Sequence, residues 1–257
     1  MPLPSLLAVF AHPDDESLSA GGVLARHADS GARTAVVTAT WAPGTRRAAE
    51  LADALRHLGA GEPRLLGYAD ARVPESSPGA ARLLDAPLDD VVRRLVAHIR
   101  AVRPEIVVTH DAYGGLPGHP DHVHTHRVTV LAAQAAGLPG LYADAGEPWR
   151  PDALYCATHP HSAVPAVRAA LGERKSRHSV PDEQVTAAVD VTPWLSRKTA
   201  AILSHRSEVA RGAFPGVVAA QPPEGRRRLL GTEWFIRYGV GGGRRAGVEP
   251  EGGLTGG

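Results

Sequence analysis

The sequence predicts an α/β fold, a Rossmann-like and mostly parallel sheet flanked by helices on both faces. Short β-branched runs alternate with amphipathic helical stretches in the first half of the chain. The runs are apolar on both faces of the pleat, as strands covered on both sides must be. Two His-Pro-Asp motifs follow strand ends, where open α/β sheets bind ligands.

Leu6–Phe10 is an apolar strand that stops at Ala11-His12-Pro13. Leu18–Ser30 reads as a helix with Leu18, Val23, Leu24 and His27 near one side, and Gly31 stops it. Ala35–Thr40 is the second strand, extending back to Thr34. Arg46–Leu58 is a helix with Leu51, Leu55 and Leu58 at helical spacing, closed by Gly59. Arg64–Leu66 is a short strand. Leu88–Val102 is a helix carrying Val91, Val92, Leu95, Val96 and Ile99, and Ile106–Thr109 is a buried strand. In the second half, Ala153–Thr158 and Gln184–Val191 read as strands and Pro193–Ser207 as a helix. Ala213–Arg227, rich in Pro and Gly, reads as loop. One domain is expected over residues 1–238, with a Gly-rich mobile tail over 239–257. Gly239 to Gly243 imitates a nucleotide loop but does not sit between a strand and a helix, so it is rejected as one.

Composition excludes several classes. The 257 residues include 28 Lys+Arg and 27 Asp+Glu, a formal net charge of +1, so no global field draws nucleic acid or an anionic membrane. A single cysteine, Cys156, excludes an intrachain disulfide framework. No apolar run reaches the roughly 18–20 residues that span a bilayer, and the N-terminus has neither a basic leader nor a cleavage site, so a cytoplasmic location is expected. A homo-oligomer is left open. Only Lys175 and Lys198 are lysines, so the abundant Arg reflects coding bias rather than a binding signal.

The 13 histidines matter by their clustering. In Ala11-His12-Pro13-Asp14-Asp15-Glu16, Pro13 disfavours helix at His12, and the chain turns before a helix opens. Acidic residues in a first helical turn complement the dipole, and alone that explains them. But His12 and Asp15 stand three positions apart across the turn and can converge on one point, with Asp14 beside it. In Gly118-His119-Pro120-Asp121-His122-Val123-His124-Thr125-His126, Pro again sits where a helix begins. His119 and His122, three apart, and His122 and His126, four apart, can each share a helix face. Two such clusters at strand ends point to a mononuclear metal site. His and carboxylate ligands suit Zn²⁺, while two His plus one carboxylate also matches the non-haem Fe(II) triad. Spacing alone does not choose the metal, nor choose among His119, His122 and His126 as ligands.

These two motifs together resemble the LmbE-like (PIG-L) zinc-dependent N-acetylglucosaminyl de-N-acetylases, over roughly residues 4–205. The resemblance implies zinc held by His12, Asp15 and His122, with Asp14 as general base. It implies His119, protonated in the expected mechanism, as the residue that polarises the amide carbonyl and helps protonate the leaving amine, and Asp121 as the residue that orients His119. It implies Arg47 and Asp70 as contacts to the substrate, an N-acetylated amino sugar such as a sugar-inositol, glycoside or antibiotic precursor. Lys198 to Glu208 is similar to a family segment that ends in Gln, and a helix simply packing on the sheet is the preferred reading. An aromatic residue of some relatives is replaced by Pro117, with Tyr113 nearby. Among the remaining histidines, His27, His57 and His98 are expected at the surface or its boundary, and His110, His159 and His161 near strand ends. The expected reaction is hydrolysis of an N-acetyl group to acetate and a free amine. The alternative with the same metal chemistry is an amidase or deacylase taking a thiol conjugate or a longer acyl chain; a third reading is a non-catalytic metal- or sugar-binding domain.

Overall fold

A computed structural model describes residues 1–171, 178–239 and 254. Its strands are β1 (Leu6–Phe10), β2 (Thr34–Thr40), β3 (Arg64–Tyr68), β4 (Ile106–His110), β5 (Ala153–Thr158), β6 (Ala187–Asp190) and β7 (Thr232–Tyr238). The helices are α1 (Asp15–Asp29), α2 (Arg46–Leu58), α3 (Leu88–Val102), α4 (Pro120–Ala135), α5 (Val164–Leu171), α6 (Leu195–Ser204), α7 (Arg206–Ala210), α8 (Phe214–Ala220) and α9 (Pro223–Leu230). The strands form one sheet in the order β3-β2-β1-β4-β5-β7-β6. The first five in that order are parallel to one another, and β7 runs antiparallel to both β5 and β6. The α/β expectation holds.

All five residues of β1 are buried, because both sheet faces are covered. Successive side chains point to opposite faces. Leu6, Ala8 and Phe10 pack in one core with Val23 and Leu24 of α1 and Leu51, Leu55 and Leu58 of α2. Leu7 and Val9 pack in the other with Leu95, Val96 and Ile99 of α3 and Val128 and Ala132 of α4. β1 pairs with β2 on one side and β4 on the other, so the strand order reverses between β1 and β4. That reversal opens a crevice at the carboxyl ends of these two strands, where loops leave for α1 and α4.

The second half departs from the sequence reading. The stretch read as a loop over Ala213–Arg227 holds α8 and most of α9. Its prolines open helices rather than break them: each helix carries Pro at its first turn, where no N–H partner is lost. The sequence reading places no strand at β7, which is half-buried and alternates Glu233 and Phe235 inward. The single helix read over Pro193–Ser207 is two, α6 and α7, broken at His205 (φ −79°, ψ 63°). His27, expected at the surface, is fully buried, with Nδ1 2.8 Å from the carbonyl of Pro4. The tail expected to be mobile lies outside the described residues apart from Gly239 and Leu254. The Leu254 side chain is buried and its carbonyl accepts from Arg26 at 2.6 Å. No helix among the described residues is long and apolar enough to cross a membrane.

Candidate metal centre

After β1 the chain turns tightly. The His12 N–H donates to Asp15 Oδ2 at 2.8 Å, and the Asp15 N–H donates back to the His12 carbonyl at 3.3 Å. Between them Asp14 takes φ 126°, a conformation that L-residues rarely adopt. Such strain persists only where the surroundings over-determine it, and it clusters at functional sites.

After β4 the loop is shaped by Asp111, whose Oδ1 accepts the N–H groups of Tyr113 (3.1 Å) and Gly115 (2.8 Å). Gly114 sits at φ 81°, where a Cβ would meet the His119 carbonyl oxygen at 2.9 Å, so the turn requires glycine. His119 is the N-cap of α4, its ring Nδ1 accepting the Asp121 N–H at 3.2 Å. Pro120 opens the helix, and His122 follows on its first turn.

The two loops meet. His12 Nδ1 and His122 Nε2 are 3.1 Å apart, His12 Nδ1 and Asp15 Oδ2 3.3 Å, and His122 Nε2 and Asp15 Oδ1 3.3 Å. Ligands about 2.0–2.1 Å from a tetrahedral ion stand roughly 3.3–3.4 Å from one another, and these three contacts, with Asp15 reaching each ring through a different oxygen, lie close to that spacing. The outer bonds leave the right ring nitrogens free. His122 Nδ1–H donates to the Gly114 carbonyl at 3.1 Å, which leaves Nε2 free to face the cluster. His12 Nε2 faces Asp121 Oδ2 (3.1 Å) and Asp70 Oδ2 (3.2 Å), which leaves Nδ1. His119 also reaches the cluster; His12, His119 and His122, and Asp15, His110 and His122, each gather donors able to share an ion. His126 turns away, its Nδ1 2.8 Å from the His110 carbonyl. His110 stacks on His122 with ring centroids 3.9 Å apart.

Several expected roles change place. The sequence reading has Asp121 orient His119, but its carboxylate is 3.9 Å from the His119 ring, beyond hydrogen-bond reach, and pairs with His12 and the Ala71 N–H (2.9 Å) instead. The reason is local: His119 caps the helix through the Asp121 backbone, which turns the Asp121 side chain across the crevice. Asp70 is buried against His12, and its Oδ1 accepts the Arg72 N–H at 2.7 Å, so its carboxylate is engaged before any sugar arrives. Arg47 too is engaged inside the protein. It is buried over the Trp41 ring, with one guanidinium nitrogen 3.3 Å from Asp14 Oδ1 and another 3.1 Å from Glu208 Oε1. The Lys198 to Glu208 segment does more than pack: Lys198, His205 and Glu208 are all buried and paired with Glu233, Glu16 and Arg47. His110 and Glu16, whose positions beside the motifs were the only signal, complete the surroundings.

The electrostatics separate the two candidate proton carriers. Burial pushes the Asp14 carboxyl up to about 6, against the opposing pull of Arg47. Burial, reinforced by His12 and His122, pushes the His119 ring down to about 4. His119 is therefore neutral near pH 7, and since its Nδ1 accepts, its proton sits on Nε2. The protonated His119 of the sequence reading is replaced by a neutral hydrogen-bond donor.

Residues 7–133 match the family model described as GlcNAc-PI de-N-acetylase, PIG-L. The chain is 36% identical to the 1D-myo-inositol 2-acetamido-2-deoxy-alpha-D-glucopyranoside deacetylase of Rhodococcus jostii (strain RHA1), over 90% of each chain. Its fold is similar to that of the conserved protein TT1542 from Thermus thermophilus, with TM-score 0.63, 26% identity and coverage of 91% of this chain and 94% of that one. It is similar also to the N,N'-diacetylchitobiose deacetylase of Pyrococcus horikoshii, with TM-score 0.63, 20% identity and coverage of 93% and 85%.

Proposed function

The chain belongs to the PIG-L family, and from that premise we propose that it is a zinc-dependent deacetylase that cleaves the N-acetyl group of a glucosaminyl-inositol. The observation that carries this reading is the triangle of His12, Asp15 and His122, with the buried Asp14, next in the chain to Asp15, held by Arg47. A binding module needs the triangle but not the adjoining base. The substrate class is supported by the relative from Rhodococcus jostii, whose name states that compound. We assign the catalytic unit to residues 1–238.

When bound, zinc would polarise the acetamide carbonyl and make water acidic enough to attack it near neutral pH. Asp14, with a carboxyl near 6, accepts the proton of the attacking water at pH 7. His119 presents Nε2–H to the carbonyl oxygen as that oxygen gains negative charge, a preorganised donor in a water-poor crevice. Asp14, once protonated, returns the proton to the departing amine nitrogen. Carboxyl and ring thus divide the work because burial moves both towards their neutral forms.

The test is incubation of N-acetylglucosaminyl-inositol with the zinc-loaded enzyme, with acetate and free amine measured in parallel. Equimolar release of both, abolished by chelation and restored by zinc, is expected. Release that survives complete metal removal would sink the reading.

A further inference from the structure

Asp14 is held on two sides by residues that one short segment of the C-terminal half holds in turn. Its backbone N–H donates to Glu16 Oε2 at 3.0 Å. The other oxygen of that carboxylate lies 3.1 Å from His205 Nε2 and also accepts the Ser17 hydroxyl. Glu16, Ser17 and His205 are all fully buried. The side chain of Asp14 is held separately: its Oδ1 lies 3.3 Å from Arg47, and Arg47 is held in turn by Glu208 at 3.1 Å. His205 and Glu208 stand one turn apart, joined by the bond from the Glu208 N–H to the His205 carbonyl at 3.0 Å. The turn is anchored from outside by Glu50 of α2, which accepts the Ser207 N–H at 2.9 Å, and by Arg211 on Glu208.

We propose that the turn His205–Glu208 is the positioning element for the base. Through Glu16 it fixes the backbone of Asp14, and through Arg47 it fixes the carboxylate. The proposal rests on the deacetylase reading for its catalytic meaning. Three observations carry it. A non-glycine residue at φ 126° relaxes unless its peptide is tied, and the tie here is the Glu16 bond. Burying a carboxylate against an imidazole is costly unless each atom has work, and both Glu16 oxygens are engaged. The helix over 195–210 breaks at His205, the residue that reaches Glu16. Glu208 has a further consequence: with Arg47 shared between Glu208 and Asp14, its guanidinium serves the base before it serves a sugar.

The test uses the full-length enzyme loaded with zinc, and compares His205→Ala, Glu208→Ala, and the conservative His205→Gln and Glu208→Gln. The alanine variants are expected to lose about 10- to 100-fold in kcat, as displacement of a catalytic group by about an ångström does. KM and zinc content should stay within about twofold, and the glutamine variants should recover most of the loss because each keeps a partner for Glu16 or Arg47. In an Asp14→Ala background the same alanine substitutions should cost nothing further; a merely structural role would cost as much there as in the wild type. Crystal structures of the alanine variants should show Asp14 leaving φ 126° or its carboxylate leaving Arg47. If His205→Ala does not fold, Glu208→Ala decides. Wild-type kcat in either folded alanine variant, a rise in KM alone, or an equal loss on the Asp14→Ala background would overturn the proposal. If the wild type deacetylates no amino sugar, the deacetylase reading fails, and the crystal structures alone decide whether the turn holds Asp14.

Discussion

The Nε2 of His12 and the Oδ2 of Asp121 lie 3.1 Å apart across 109 residues of sequence. The contact ties the loop after β1 to the first turn of α4, and it leaves His12 Nδ1 facing Asp15 and His122. A carboxylate behind a metal-binding imidazole fixes its tautomer and raises its basicity. Asp121→Ala is therefore expected to weaken zinc binding by about 10- to 100-fold, read by competition with a metal chelator. A catalytic defect with unchanged zinc affinity would instead return Asp121 to the role of orienting His119.

Asp14→Ala should separate binding from chemistry. The three-donor triangle does not include Asp14, so zinc content should remain near one per chain. Turnover should fall roughly 10²- to 10⁴-fold, the usual cost of a lost general base. Steady-state kinetics alongside elemental analysis measure both.

His122→Ala should do the reverse. It removes one corner of a triangle whose sides are 3.1 to 3.3 Å. Zinc should be lost on gel filtration, and activity with it. Retention of stoichiometric zinc through His110 or His119 would show that the ion sits elsewhere in the cluster.

Stability should fall in acid through the buried His159. Burial pushes His159 down to about 4, below its unfolded value near 6.5. The folded state therefore binds fewer protons than the unfolded chain, and stability present above pH 6.5 is lost as pH falls towards 4. The full change is on the order of 3 kcal/mol for this ring. His159→Phe removes the titration while keeping a ring against Trp234, which stands 6.0 Å away between centroids. Denaturant melts at several pH values should give a shallower acid slope for the variant.

Lys198 and Glu233 form a buried pair at 2.7 Å, and Glu233 also accepts the N–H groups of Gly22 (2.7 Å) and Val23 (2.9 Å) in α1. Lys198→Met leaves that carboxylate buried without its cation and should destabilise the fold by about 3–5 kcal/mol. The midpoint of a chemical melt reports it. A change below about 1 kcal/mol would mean that the helix N–H groups alone satisfy Glu233.

Local rules acted strongly where the chain is regular. The bounds of β1, α2, α3 and β5 coincide with the apolar runs, and α2 ends at Gly59, because burial writes itself into short windows of sequence. The rules misled where a residue has two uses. Proline reads as a breaker, yet it opens α8 and α9. A charged residue reads as surface, yet Lys198, Glu208 and Glu233 are buried, since their partners lie far along the chain.

Both histidine motifs were written in the sequence, because each is a local turn at a strand end. Which nitrogen of each ring faces the cluster, which carboxylate stands behind His12, and that Arg47 pairs with Asp14 were decided only by tertiary structure. Those facts depend on side chains separated by tens to hundreds of residues meeting within about 3.5 Å. Periodicity carries no information about such distances; only the packed sheet does, by bringing the ends of β1, β2 and β4 together with the turn at His205.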